Sequence, residues 1–401
     1  MKHLVIGSDL FKPSVGGTET VTENMAINMT RAGWRVTVIA PAPAGMSTPN
    51  IQKDAMGYDI LRVRSIATPF QKKLRVAWRA KGQIYNYLDS HTYQPNVIHA
   101  NNLFPTSKIL LKYAKSHRIP IVFGNHLMPE SFTLILRKFK KLNKAIDGMG
   151  WRYIARVYNR GNMVVSPTQT GINYLTRHGL QVPTRVISNG LDLRANHLVE
   201  ISPARIQELK KKLGLNAQYV LLYAGRLGVE KRIDVIIRAL KILAIHNDVQ
   251  LMLIGDGNAE SSLKRLVHKL QLDDRVVFTG YLPRVTTKHE YMSLCDAFVI
   301  ASPVELQSIV TLEAMAIGLP VFASNKGALK ELAIQDVNGG TFSDGNPTAL
   351  ARLIGGVLQD PVRLKGYSKG SLKVIKNHDI KDTWVKYNRM YREVIEIYKN
   401  Q

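Results

Sequence analysis

A short apolar run followed by an amphipathic stretch recurs along both halves of this 401-residue chain. That alternation limits the fold more than any other feature, because strand–helix repeats build parallel sheets covered by helices. In the first half, Leu4–Ser8, Arg35–Ala40, Asn96–Ala100 and Ile119–Phe123 read as buried strands. Thr18–Ala32, with Met25 and Met29 at helical spacing, and Ser107–Ser116 read as helices. In the second half, Tyr219–Ala224, Val249–Ile254, Val276–Thr279, Ala297–Ala301 and Val321–Ala323 are strand-like. Between several of them lie the helical stretches Ile233–His246, Ala259–Leu270 and Ile309–Ile317. Two such series predict an α/β protein of two doubly wound, Rossmann-like domains facing a cleft, with ligand held in that cleft. The break falls near Ser188–Ser202, at a Gly190–Asp192 turn followed by a weakly periodic polar stretch. The chain is long enough for two such cores.

Charge narrows the partners. Fifty-five Lys+Arg against thirty Asp+Glu give +25, and residues 1–200 carry most of the excess. Such a surplus points to an anionic partner. A single cysteine, Cys295, excludes a disulfide framework and a multi-cysteine metal site. The longest apolar stretch is broken by Glu313, and the Met-Lys-His opening runs straight into a strand. A cytoplasmic protein without a transmembrane helix is therefore expected.

Five local patterns are candidates for chemistry. Gly16-Gly17 precedes a helix whose N-terminus can face a phosphate. Gly225-Arg226-Leu227-Gly228-Val229-Glu230-Lys231 follows a strand and places two cations at a sheet edge, where they can clamp a diphosphate. Gly255-Asp256-Gly257 is a tight turn at the same edge. Glu305 and Glu313 flank the loop and helix start at Ser308, Ile309 and Val310, where backbone N–H groups can meet a diphosphate and carboxylates can accept from sugar hydroxyls. His126, in Asn125-His126-Leu127-Met128-Pro129-Glu130, follows a further strand. Taken singly, the glycine pair, the two cations and the histidine fit an ordinary turn, solvated charges and a structural side chain about as well.

Together these segments resemble the GT-B fold, retaining glycosyltransferases of family four, a group that includes bacterial diacylglycerol glucosyltransferases and phosphatidylinositol mannosyltransferases. The match spans nearly the whole chain. Its most specific part is the Glu-x7-Glu segment from Glu305 to Glu313, followed by Ala314-Met315-Ala316-Ile317-Gly318-Leu319-Pro320. Gly225–Lys231 and Ser188–Asp192 also fit, whereas Leu306-Gln307-Ser308 departs from the small residue and Phe-Gly common after the first glutamate. The resemblance implies roles. Arg226 and Lys231 would hold the donor diphosphate, Glu305 the sugar hydroxyls and Glu313 the ribose. His126 would line the acceptor side, and Gly16, Gly17 and Gly255 would let backbone approach the nucleotide. It also implies no metal or cofactor beyond the nucleotide sugar itself, and domains of 1–190 and 191–381 with 382–401 crossing back to the first.

The anionic partner is read as a membrane surface. On a helical wheel Ile135, Phe139, Leu142 and Ile146 fall on one stripe, with Arg137, Lys138, Lys140, Lys141 and Lys144 on the polar side. This is the pattern of a helix lying in an anionic interface. Gln71–Leu88 adds Lys72, Lys73, Arg75, Arg79 and Lys81, with Leu74, Trp78, Tyr85 and Leu88 as apolar partners. No nucleic-acid motif or stacking platform accompanies the charge. The expectation is a peripheral enzyme on the inner face of the plasma membrane that transfers glucose from UDP-glucose to a lipid such as 1,2-diacylglycerol. The alternatives are a transferase extending a cell-wall or polyprenyl-linked glycan, and a basic anion-binding protein on a degenerate scaffold.

Overall fold

The computed structural model describes residues 1–14, 16–68, 74–90, 94–133, 140–195, 201–283 and 285–400, with backbone alone for 132, 133, 140–144, 285 and 286. The chain forms two compact units. Met1–Pro129, Leu136–Asn189 and Lys381–Gln401 make one, and Glu130–Ile135 with Gly190–Ile380 make the other.

In chain order the elements up to residue 190 are β1 His3–Gly7, α1 Gly17–Arg31, β2 Arg35–Pro41, β3 Asn50–Lys53, β4 Asp59–Val63, β5 Ser65–Ala67 and β6 Arg75–Ala77. They continue with α2 Lys81–Ser90, β7 Val97–Asn101, α3 Pro105–Ser116, β8 Ile121–Gly124, α4 Glu130–Thr133, α5 Lys140–Tyr158, β9 Met163–Ser166, α6 Gln169–Arg177 and β10 Thr184–Val186. Among the described residues the first sheet runs β10-β9-β8-β7-β1-β2-β4-β3, parallel except at the β3–β4 edge. β1, β7 and β8 are buried along their whole length, as a parallel strand covered on both faces must be.

The second unit adds α7 Pro203–Leu213, β11 Tyr219–Ala224, α8 Ile233–Leu243, β12 Val249–Ile254, α9 Glu260–Lys269, β13 Val276–Gly280, α10 Val285–Met292, β14 Ala297–Ile300, α11 Ile309–Ala316, β15 Val321–Ser324, β16 Gly339–Phe342, α12 Pro347–Leu358 and α13 Pro361–Val374. Its parallel sheet has the order β13-β12-β11-β14-β15-β16 among the described residues. Several helices start on a local signal. Ser202, Asn346 and Asp360 each cap the first turn through the side chain, and a proline follows each of them. One face of β11, β12 and β14 packs on α8 and α12, and the other packs on α11.

The last helix, α14 Ile380–Lys399, returns to the first unit. Its inner stripe of Trp384, Tyr387, Tyr391, Val394 and Ile395 is buried at i, i+3, i+4 and i+7 spacing. Trp34 Nε1 donates to Asn388 Oδ1 at 2.9 Å, and Thr383 Oγ1 donates to the Ser188 carbonyl at 3.1 Å.

Strand expectations hold to within two residues, and β11 and β12 match at both ends. The reading of Gln71–Leu88 as one basic amphipathic face needs correction. Residues 71–73 lie outside the described residues, and Arg75–Ala77 is a strand paired with β5. Arg75 is tied inward, with Nε 2.8 Å from Ser65 Oγ and Nη2 2.9 Å from the Ser65 carbonyl, so it is not free to meet a lipid surface. Leu88 is buried and Tyr85 packs edge-on against Tyr113, so these apolar partners belong to the protein's own packing. In the other basic segment Arg137, Lys138 and Phe139 lie outside the described residues. Lys140, Lys141 and Lys144 fall in the first turns of α5, where only backbone is described.

Candidate functional site

Each sheet reverses its strand order once, and each reversal opens a crevice at the carboxyl ends of the strands, where doubly wound folds bind ligands. In the second unit the reversal lies between β11 and β14. The turn after β11 carries Arg226 and Lys231, and the loop after β14 carries Glu305. Lys231 Nζ lies 2.5 Å from Glu305 Oε1, and both side chains are largely buried. Two residues separated by 74 positions therefore meet across the switch point as one charged pair.

Backbone packing fixes this edge. Gly255 has φ +132°, and a Cβ there would collide with the Gly225 carbonyl. Leu227 N–H donates to the Asp256 carbonyl at 2.7 Å, joining the two turns. The Glu305 loop is held from the other side, where Ala328 N–H donates to the Glu305 carbonyl at 2.9 Å. Gly327 (φ +61°) sits so close that a Cβ would lie 2.8 Å from that same carbonyl oxygen. Buried Tyr223 donates its hydroxyl to the Arg226 carbonyl at 3.0 Å. Burial, with the Glu305 charge nearby, raises its pKa well above the ordinary phenol range.

Arg226 sits differently from Lys231. Its side chain is 58% exposed and paired with Glu230 at 2.6 Å. The sequence offered the two as equivalent halves of a clamp, whereas the structure holds one firmly and leaves the other in solvent.

Ser308 caps α11, its Oγ accepting from Thr311 N–H at 3.2 Å. Ile309 and Val310 form the first turn beside it. Glu313 is inside α11 and buried. Its Oε1 takes the Lys288 ammonium at 2.6 Å, while its Oε2 is shut from solvent with no hydrogen-bond partner. A buried acceptor left open is costly unless a donor joins it, so Glu313 presents a ready acceptor to a hydroxyl. Lys288 was missed in the sequence because Thr287-Lys288-His289-Glu290 has the look of any solvated turn of helix.

The first unit's crevice lies between β1 and β7. Gly16 caps α1 in an extended conformation (φ −176°), and a Cβ on Gly17 would meet nothing within 4 Å. Backbone strain therefore does not demand glycine at either position. The Glu19 carboxylate stands close to Gly16, in front of that helix start, which opposes an anion there.

Asp9, which follows β1, was also missed. Its carboxylate accepts from Ala77 N–H at 2.8 Å and Thr106 N–H at 3.0 Å, and burial outweighs those bonds to raise its pKa to about 6. His126, after β8, is held in place through its backbone N–H, which donates to Asn102 Oδ1 at 2.9 Å. Its Nε2 is buried without a partner, and burial lowers its pKa to about 4. Neighbouring Asn125 is fully buried with both side-chain polar atoms unpaired. Deeper in, His99 bonds Asn101 Oδ1 and Tyr391 Oη, both at 2.9 Å. Burial first, and then His126, lowers its pKa to about 3.

A family profile described as "Glycosyltransferase Family 4" matches residues 15–195, and one described as "Glycosyl transferases group 1" matches residues 205–377. The chain is a GT-B glycosyltransferase of family four.

The glycosyltransferase is 25% identical over 341 residues to an alpha-monoglucosyldiacylglycerol synthase of Streptococcus pneumoniae, covering 84% of this chain and 74% of that protein. It is 25% identical over 366 residues to a GDP-mannose-dependent alpha-mannosyltransferase of Mycolicibacterium smegmatis, covering 88% of each. Among solved structures, HepE of Anabaena in complex with UDP-glucose superposes with a TM-score of 0.74 at 20% identity, covering all of both chains, a likeness of fold. As a family member this enzyme uses a nucleotide sugar. No helix among the described residues is long and apolar enough to cross a membrane.

Proposed function

We propose that this glycosyltransferase moves glucose from UDP-glucose to a membrane lipid such as 1,2-diacylglycerol, with retention at the anomeric carbon. The Lys231–Glu305 pair at the second unit's switch point carries the reading. A fixed ammonium there stabilises the charge that grows on the departing diphosphate, and Glu305 is free to accept from sugar hydroxyls on its second oxygen. The first turn of α11 offers backbone N–H groups to the same diphosphate, and the open oxygen of Glu313 accepts from a ribose hydroxyl. In the reaction the bond from the anomeric carbon to the diphosphate oxygen breaks, a bond to the acceptor oxygen forms, and the acceptor hydroxyl gives its proton to the departing diphosphate.

The lipid acceptor is supported by the name of the pneumococcal relative and by the basic surplus of the first 200 residues. UDP is supported by the ligand of the HepE structure. The mycobacterial relative favours a second reading, GDP-mannose as donor. Purified enzyme incubated with radiolabelled UDP-glucose or GDP-mannose and liposomes holding diacylglycerol tests both. A labelled monoglucosyl lipid is expected. Label appearing only from GDP-mannose replaces the donor, and label in no lipid with either donor ends the lipid reading.

A further inference from the structure

The sequence from Gly148 to Leu191 contains no Asp or Glu and five arginines. The fold gathers part of that charge at one place. Arg152 and Arg156 stand one turn apart on the outer side of α5, and Arg177 and His178 close the end of α6. With Asn159, Gly179 and Gln181 they line a cavity of about 400 Å³ on the first unit, and no carboxylate lines it. Neither Arg152, Arg156 nor Arg177 has a carboxylate partner among the described residues, whereas Arg185, from the same acid-free stretch, is held by Glu393 at 3.4 Å.

The wall of this cavity is fixed rather than loose. Asn159 Nδ2 donates to the Gly179 carbonyl at 2.7 Å, and Gln181 N–H donates back to Asn159 Oδ1 at 2.8 Å. That reciprocal pair locks the α6–β10 turn against the end of α5. Behind it, Trp151 stacks on Tyr174 with ring centroids 5.3 Å apart and on the His178 ring at 6.3 Å. His178 Nδ1 donates to the Tyr174 carbonyl at 2.7 Å, so Nε2 meets a phosphate either as a donor from the doubly protonated ring or by accepting from a P–OH group. Arginine forks match phosphate oxygens in planar, two-point contacts, and like charges gathered without an acid are relieved by an anion.

We propose that Arg152, Arg156, Arg177 and His178 form a phosphate-binding site on the first unit, separate from the residues assigned to the transfer reaction. Its ligand is a phosphate monoester or diester, supplied either by an anionic phospholipid headgroup or by a free phosphate. The site stands whether or not the donor and acceptor proposed above are right, because its test measures binding and not transfer.

The variant R152Q/R156Q/R177Q removes three charges from exposed positions, and K210Q/K211Q/K212Q removes three from α7 of the second unit as a matched control. Binding is measured to inorganic phosphate by calorimetry, and to phosphatidylcholine vesicles with and without 30% phosphatidylglycerol by co-sedimentation. Three lost contacts at about fivefold each predict a loss of roughly 100-fold on the source that is bound. Loss on phosphatidylglycerol vesicles alone identifies the headgroup, and loss on inorganic phosphate as well identifies a free phosphate. The idea fails if the control variant loses as much as the arginine variant, which would mean net charge only. It also fails if the intact enzyme binds neither probe.

Discussion

The carboxyl edges of the two sheets are built from opposite materials. The second unit's edge is charged, with Lys231–Glu305, Lys288–Glu313 and Arg226–Glu230 all within 2.6 Å. The first unit's edge is polar but kept nearly uncharged. His99 and His126 are held neutral by burial, and Asn102 and Asn125 offer amides. The Glu19 carboxylate stands at the rim, in front of the start of α1, and burial resists the charge on Asp9. Each edge therefore suits a different kind of ligand. Fixed ion pairs suit a ligand whose charge changes during reaction, whereas neutral donors and acceptors suit hydroxyl groups.

The contrast breaks most directly at His99. Its pKa in the fold, about 3, lies below the ordinary 6.5. Between those values the unfolded chain holds a proton that the folded chain refuses. Stability is thus complete above pH 6.5 and falls as the pH is lowered, by on the order of 5 kcal/mol. Asp9 works the other way. Its pKa is raised from 3.8 to about 6, so acid stabilises the fold through that interval by about 3 kcal/mol. Amide exchange along β7, corrected for intrinsic rates, should lose protection from pH 6.5 downward. The loss should be shallower in His99→Gln and steeper in Asp9→Asn. Equal slopes in all three proteins would show that the histidine is not kept neutral.

Next in size is Lys231→Ala. A cation matched to growing charge on the leaving diphosphate contributes mainly in the transition state, so kcat/KM should fall by about 3 kcal/mol, roughly 100-fold. The ion pair sharpens this prediction. If Lys231 and Glu305 act as one unit, Lys231→Ala/Glu305→Ala should be little worse than either single change. Strict additivity would separate them.

These pairs mark the boundary of what the sequence discloses. β11 and β12 were legible to the residue because strands buried on both faces are continuous apolar runs. The β3–β4 edge was not, since β3 has four residues and carries Ile51 61% exposed. Lys231 and Glu305 stood out by their places in motifs that follow strands, and Glu313 as the charge that breaks the longest apolar stretch. Their pairing was not, because nothing local joins positions 74 apart, or 25 apart for Lys288 and Glu313. His99 is the extreme case, since its environment is completed by Tyr391, 292 residues away.

Lys288→Ala should be milder. It leaves the buried Glu313 carboxylate without its cation, and breaking such a pair costs about 2 kcal/mol when water still reaches one partner. The urea midpoint of the second unit should drop accordingly, and adding Glu313→Gln should restore most of it. No recovery would mean that Lys288 holds α10 by packing rather than by charge.

The smallest effect is expected at Arg226. Its pair with Glu230 is exposed and close in sequence, and such pairs contribute about 0.2–1 kcal/mol. Arg226→Ala should therefore leave the unfolding midpoint nearly unchanged. A solvated guanidinium must also give up its water and its Glu230 contact to reach a diphosphate, so its net contribution to UDP affinity should be about 1 kcal/mol, roughly fivefold. Because that contact stays exposed, the difference between Arg226→Ala and the unchanged enzyme should shrink as salt is raised to 1 M, where the Debye length is about 3 Å. Lys231, largely buried beside Glu305, should show less salt dependence. Titration calorimetry with UDP at low and high salt separates the two residues. Should Arg226→Ala weaken UDP as much as Lys231→Ala at both salts, the exposed cation closes onto the ligand, and the distinction between a fixed and a solvated half of the clamp is lost.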